Sequence, residues 1–190
     1  MRRLADALSL LRIGLIPVFL ALAWFTHHPP GDPGSRTLWR VGALVALSMS
    51  GVSDWLDGYV ARKTGGESRW GPWLDAIGDR AAQLSAVAFF ALVEGPAFPT
   101  VPLWFVAVVV ARDLLIGGGA LVLHLSGREP IREHHFHGRL ATFLMFFFLL
   151  WITANFPLPG NGIAFTAFSA LLLGSAILYL LEDARILVQS

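Results

Sequence analysis

Residues 54–79 read DWLDGYVARKTGGESRWGPWLDAIGD and hold four aspartates, Asp54, Asp57, Asp75 and Asp79, on either side of a short basic loop that contains glycine. The first pair is spaced i, i+3 and the second i, i+4, so on helices each pair shares one face. Two helices joined by about eight residues are expected to be antiparallel neighbours, which brings the four carboxylates to one place. Ionised groups at bilayer depth cost several kcal/mol each, so such a cluster calls for a divalent cation among the carboxylates. An oxygen-only donor set, with no cysteine or histidine at these positions, suits Mg2+, Mn2+ or Ca2+ rather than zinc. Gly58 and Gly71 take side chains away from beside the carboxylates, where a ligand can then approach the backbone. Ala61 keeps the Asp54/Asp57 face open one turn further on, and Arg62 adds a charge suited to phosphate.

The elements that must position these residues are apolar. The chain has 190 residues, 55% hydrophobic and only 14% charged, with a mean hydropathy of +0.63, which describes an integral membrane protein of one domain over residues 1–190. With no cysteine, disulfides, thiolate metal sites and a cysteine nucleophile are excluded. A net charge of +1 says little about partners, because in a membrane protein the side on which charges lie matters more than their sum; the expected partners are membrane lipids, with no nucleic acid.

Six transmembrane helices are expected, over about Ala5–Phe25, Leu38–Ala61, Gly71–Val93, Leu103–Leu125, Gly138–Asn155 and Ala164–Leu181. Arg2 and Arg3 precede the first span and no small-residue cleavage site follows it, so it reads as retained rather than as a signal peptide. Pro/Gly-rich turns separate the spans at 27–36 and 157–162. One side receives Arg2, Arg3, Arg62, Lys63, Arg69, Arg128, Arg132, Arg139 and Arg185; the other receives Arg36 and Arg40. The positive-inside tendency then sets the termini and the aspartates on the cytoplasmic side, with Trp39, Trp70 and Trp104 as interfacial anchors.

Written out, Asp54-x2-Asp57-Gly58-x2-Ala61-Arg62-x8-Gly71-x3-Asp75-x3-Asp79 resembles the signature of the CDP-alcohol phosphotransferase family at all eight of its fixed positions. The opening ADALSLLRIGLIP, with Ser9, Arg12 and Pro17, is similar to the start of bacterial phosphatidylglycerophosphate and cardiolipin synthases, although Asp6 or Ala7 stands where those tend to have Asn. The resemblance implies an all-α membrane fold with a cytoplasm-facing polar active-site cavity, in a bacterial inner membrane. It implies transfer of a phosphatidyl group from CDP-diacylglycerol to an alcohol with release of CMP, and a homodimer. It assigns Asp54, Asp57 and Asp75 to binding Mg2+ or Mn2+, expected as two ions, and Asp79 to the metal and to general-base work. It gives the CDP donor to the face from Asp54 and Asp57 through Gly58, Ala61 and Arg62, together with Gly71 and Asp75.

A glycerol-type acceptor is favoured, with sn-glycerol 3-phosphate first. Its phosphate needs a cationic pocket, for which Arg112, Arg139 and Arg128 or Arg132 are the candidates. The alternatives are phosphatidylglycerol as acceptor, which would make a cardiolipin synthase, or inositol phosphate or serine. Ala111-Arg112-Asp113 and Gly138-Arg139-x2-Thr142 look like both glycerol-lipid groups, and the Arg-Asp pair leans to the cardiolipin type. A divalent-cation transporter is the rival outside enzymes. Against it, the acids crowd towards one end of the second and third spans, whose outer halves are apolar.

Other residues carry plainer readings. Arg112 and Asp113 serve equally as an internal ion pair or a substrate contact. His134, His135 and His137, on a polar connector, read as solvated rather than as a metal cluster. Gly117 to Gly119 allow close helix packing, and residues 143–150, FLMFFFLL, form apolar surface. Arg12 and Arg139 either snorkel to headgroups or reach a substrate phosphate.

Overall fold

The computed structural model describes residues 2–64, 71–126, 136–157 and 161–188, with some stretches, among them 54–64, 71–77 and 79, as backbone alone. Six α-helices follow one another: α1 Arg2–His27, α2 Arg36–Thr64, α3 Gly71–Leu92, α4 Leu103–Leu125, α5 Phe136–Thr153 and α6 Asn161–Val188. A short 3-10 turn, Pro33–Ser35, leads into α2. Six helices therefore stand where six were expected, and no strand occurs among the described residues. Two stretches, Leu10–His27 and Gly162–Leu181, are long and apolar enough to cross a membrane.

The helix ends follow from local chemistry. After α1 the chain meets Pro29 and Pro30 and turns through Gly31 at φ 87°, where only glycine is free of steric cost. Asp32 then closes a turn, accepting the Gly34 N–H on its side chain at 3.2 Å and the Ser35 N–H on its carbonyl at 3.0 Å. Pro102 opens α4, its carbonyl taking the Phe105 N–H at 2.9 Å, at a position where proline's missing N–H costs nothing. At the end of α5 Asn155 adopts φ 57°, its N–H goes to Ile152, and the Phe156 N–H reaches back to the Trp151 carbonyl at 3.3 Å. This is a Schellman closure, completed by the Trp151 and Phe156 rings 5.2 Å apart. Asparagine tolerates the left-handed conformation, so it serves where glycine is usual.

The chain divides into two compact units, residues 1–100 with 148–156, and residues 101–147 with 157–190. In the first, α1 packs along both α2 and α3, while α2 and α3 touch each other only lightly. Small residues make the close approach: Ala23 and Ala43 are fully buried, and a Cβ on Gly42 would lie 3.3 Å from a Leu22 methyl. Phe19, Phe89, Phe90 and Phe98 form an edge-to-face cluster beside them. In the second unit α4 packs on α6, with Phe105 and Phe165 in edge contact at 5.2 Å. Hydroxyls inside the helices turn back on their own carbonyls, as Thr26 does to Leu22 and Ser175 to Leu172, so they need no other partner in apolar surroundings. Large apolar side chains, including Leu38, Leu92, Leu114, Leu125 and Ile163, are exposed outside the packed faces, a surface that lipid accepts more readily than water.

Candidate active site

The aspartate motif is carried by two helix ends that flank residues 65–70. Asp54, Asp57, Gly58, Ala61 and Arg62 occupy the last three turns of α2, and Gly71, Asp75 and Asp79 the first turns of α3. Both stretches are continuous helix, so the i, i+3 and i, i+4 spacings each hold their pair to one face. The side chains of these residues lie outside the described residues. Arg128 and Arg132 lie outside them altogether, as do His134 and His135; Arg139 and His137 are in α5, with their side chains outside them. Among the described residues no group of three or more metal-ligating side chains comes together. The donor chemistry of the two helix ends, carboxylates without thiol or imidazole, fits a hard divalent ion.

Beside this motif α1 packs along α3. Arg12, in α1, is 1% exposed. A Cβ on Gly78 would stand 3.5 Å from an Ile13 side-chain carbon and 4.0 Å from Arg12 Cδ, so the stem of Arg12 passes α3 beside Gly78 at ordinary contact distance. A guanidinium at this depth belongs with anionic groups, since alone it is costly in an apolar surround. Sequence reasoning left Arg12 between headgroup and site; its complete burial removes the snorkelling alternative.

Gln83 escaped the sequence reading. It is 7% exposed, and its Nε2 has no hydrogen-bond partner. It follows Asp79 by four residues and so extends the Asp75/Asp79 row one turn inward along α3. That i, i+4 relation was the signal available. Buried amide donors without a partner are rare in folded proteins, where water, an ion or a ligand supplies the acceptor. On α2, Ser53 is buried just before Asp54 and donates to the Ser50 carbonyl at 2.8 Å.

In the second unit Arg112 is 1% exposed in α4. Its guanidinium pairs with Asp113 at 3.3 Å and donates to the Thr142 hydroxyl of α5 at 3.2 Å. The internal-pair reading of Arg112 and Asp113 is thus observed, and Thr142 adds a tether that fixes where the guanidinium sits. The guanidinium is thus buried and oriented by a carboxylate and a hydroxyl, as a positioned donor rather than a mobile surface charge.

Comparison with known proteins gives these residues a context. The sequence matches the family model described as CDP-alcohol phosphatidyltransferase over residues 2–181. A protein of Mycobacterium tuberculosis (strain ATCC 25618 / H37Rv), provisionally named a cardiolipin synthase, is 35% identical over 138 residues, 73% of this chain and 58% of that protein. The CDP-diacylglycerol–glycerol-3-phosphate 3-phosphatidyltransferase of Bacillus subtilis (strain 168) is 33% identical over 146 residues, 75% of this chain and 72% of the relative. A cardiolipin synthase (CMP-forming) of Streptomyces coelicolor is 34% identical over 152 residues, 79% of this chain and 65% of the relative. The chain thus spans somewhat under two thirds of the mycobacterial and streptomycete proteins' length. No solved structure matches it significantly.

Proposed function

The chain belongs to the CDP-alcohol phosphatidyltransferase family, and on that premise we propose that it moves a phosphatidyl group from CDP-diacylglycerol to sn-glycerol 3-phosphate, forming phosphatidylglycerophosphate and CMP. The observation that carries this reading is the family's whole aspartate motif lying unbroken on two continuous helix ends, α2 and α3. The transporter reading, which needs polar residues along a full crossing, loses its ground with the family assignment.

In the proposed reaction the acceptor hydroxyl oxygen forms a bond to the phosphorus that carries diacylglycerol. The bond from that phosphorus to the oxygen of CMP breaks, and CMP leaves with the electron pair. Asp79 takes the hydroxyl proton; a carboxylate set among other carboxylates holds a proton more readily than one alone, which suits a base. Asp54, Asp57 and Asp75, with Asp79 beside them, would hold two Mg2+ or Mn2+ ions. When bound, these supply positive charge to the diphosphate and its departing side. Gly58, Ala61, Arg62 and Gly71 would face the cytidine nucleotide, with Arg12 and Gln83 lining the same wall. Arg112, with Arg139 and Arg128 or Arg132, would take the acceptor phosphate.

Six membrane spans, one domain over residues 1–190, a cytoplasmic site and pairing of two copies belong to the same reading. It is supported by the distribution of arginines and by the apolar helix surfaces. The relatives include proteins named for glycerol 3-phosphate and for cardiolipin synthesis, so phosphatidylglycerol is the second acceptor to test. The experiment is CMP release from CDP-diacylglycerol by the purified protein with Mg2+ or Mn2+, offering glycerol 3-phosphate, phosphatidylglycerol, inositol phosphate and serine separately. Metal-dependent release with glycerol 3-phosphate supports the proposal. Release with phosphatidylglycerol alone moves it to the cardiolipin type, and no release with any of the four from folded protein overturns it.

A further inference from the structure

The connection from α3 to α4, residues 93–102, is fastened to the α1–α2 hairpin at the end remote from the aspartates. Arg40 and Asp54 both lie on α2, about 21 Å apart along its axis at ~1.5 Å per residue. The Ala97 peptide is held from both sides: its N–H donates to His27 Nδ1 at 3.4 Å, and its carbonyl accepts from the Arg40 guanidinium at 3.1 Å. Gly95 lets the backbone lie against the imidazole, since a Cβ there would press on Nδ1. Phe98 meets the ring edge-on at 5.0 Å, and Phe89 stands at 5.9 Å. Ala97, Phe98 and Val101 are buried, as His27 is, and the Arg40 guanidinium stands 5.8 Å from the centre of the Phe98 ring.

Only the neutral imidazole fits this arrangement. Nδ1 accepts, so the ring carries its hydrogen on Nε2, and that buried Nε2 has no hydrogen-bond partner. A proton added to Nδ1 would face the Ala97 N–H, donor against donor, and the cation would find no acceptor at either nitrogen. The titratable neighbours add to the misfit: His28 follows on α1, and Arg36 and Arg40 act on the ring from α2. No carboxylate among the described residues forms an ion pair with His27; Asp32 and Glu94, the acids of this end, are exposed, and Asp32 is engaged with Gly34. Residues 81–92 of α3 and residues 148–156 of the same unit hold no titratable side chain. His27 is the last residue of α1, beyond the expected end of the first span at Phe25.

From these contacts we propose that the 93–102 connection is held by a proton-sensitive latch, which neutral His27 closes on the Ala97 N–H and protonation of His27 opens, independently of the proposed transferase activity. The proton comes from the medium and goes to Nδ1; the Ala97 N–H turns to water, and Arg40 alone still holds the Ala97 carbonyl. A released imidazole takes up a proton around pH ~6.5, whereas the latched one, buried and facing only donors and positive charge, resists it. The latch therefore holds in full above about pH 6.5 and weakens as pH falls below it, by at most about tenfold per pH unit for one proton. The side from which the proton comes rests on the proposed topology, in which this end faces away from the cytoplasm.

The test is amide hydrogen exchange of the full chain in detergent micelles, read over residues 93–102 and corrected for the intrinsic pH dependence of exchange. Wild-type protein should lose protection there about tenfold or more between about pH 7.5 and about pH 5. His27→Asn sets an amide oxygen near the place of Nδ1, so it can accept from Ala97 but cannot titrate, and its protection should change by less than about twofold over the same range. Equal protection of the wild type at both pH values would overturn the latch, and so would an equal loss in the variant. Should His27→Asn fail to fold, the wild type carries the test through the histidine nitrogen chemical shifts. They should show the Nε2–H tautomer at neutral pH and a His27 titration that coincides with the loss of protection. The Nδ1–H tautomer, or opening without a change in the protonation of His27, would overturn the proposal.

Discussion

Gly95→Ala is the sharpest test of the packing at the α1–α2 hairpin end. A Cβ at position 95 would press on His27 Nδ1 and would stand 2.6 Å from Cγ and 2.8 Å from Cε1 of the same ring. Those separations are far inside van der Waals contact, so the ring must move. It has little room to do so: it is buried, with Phe98 at 5.0 Å edge-on and Phe89 at 5.9 Å. Swinging away breaks the Ala97 N–H···Nδ1 bond. Leaving that buried N–H unmatched costs about 1–3 kcal/mol, and repacking the aromatic cluster around a displaced ring costs about 1–3 kcal/mol more. Gly95→Ala should therefore destabilise the protein by about 2–6 kcal/mol.

The assay is a double-mutant cycle of unfolding free energies in mixed micelles, with His27→Ala as the second substitution. With the imidazole gone, the three atoms nearest to the methyl at position 95 are gone with it, so Gly95→Ala in the His27→Ala background should cost much less than in the wild type. Additive effects, or a Gly95→Ala protein as stable as wild type, would refute the ring-against-backbone contact on which the estimate rests.

Asp79→Asn should abolish CMP release while donor binding stays measurable; turnover at the wild-type rate would sink the general-base role. Thr142→Val deletes one hydrogen bond to the buried Arg112 and should cost about 1–2 kcal/mol of stability. If Arg112 takes the acceptor phosphate, the same variant raises the acceptor KM severalfold with a smaller change in kcat, and an unchanged KM would argue for a purely structural pair. Asn155→Gly should leave stability within about 1 kcal/mol of wild type. Asn155→Val should lower it by about 1–2 kcal/mol, because a β-branched residue at φ 57° is strained; equal melting of the two variants would contradict the α5 closure.

The sequence told most where physics is local. Glycine, proline and apolar periodicity marked the helices: α4 runs over Leu103–Leu125 as expected, and α3 begins at Gly71 and ends one residue short of the expected Val93. Hydropathy gave less at the ends of α1 and α6. α6 was expected to stop at Leu181, where Glu182 and Asp183 begin, yet it continues to Val188. A hydropathy window responds to charge, whereas helical hydrogen bonding does not end at a charged residue whose propensity still favours helix. The aspartate motif was legible because carboxylate spacing on a helix is itself a local property.

Contacts between distant residues were beyond its reach. His27 meets Ala97 seventy positions away, and Arg40 meets the same residue across fifty-seven. Nothing in the composition of 93–102 announces that Gly95 is the floor under an imidazole. Likewise the burial of Arg12 against Gly78 and the tether of Arg112 to Thr142 depend on which helix faces meet. By itself the amino-acid sequence determined the helices, their order and the spacing of the aspartate motif along them, since these depend on neighbours three or four residues apart. Tertiary structure alone decided which arginines are buried and what holds them, because burial and partnership are properties of packed surfaces rather than of any one segment.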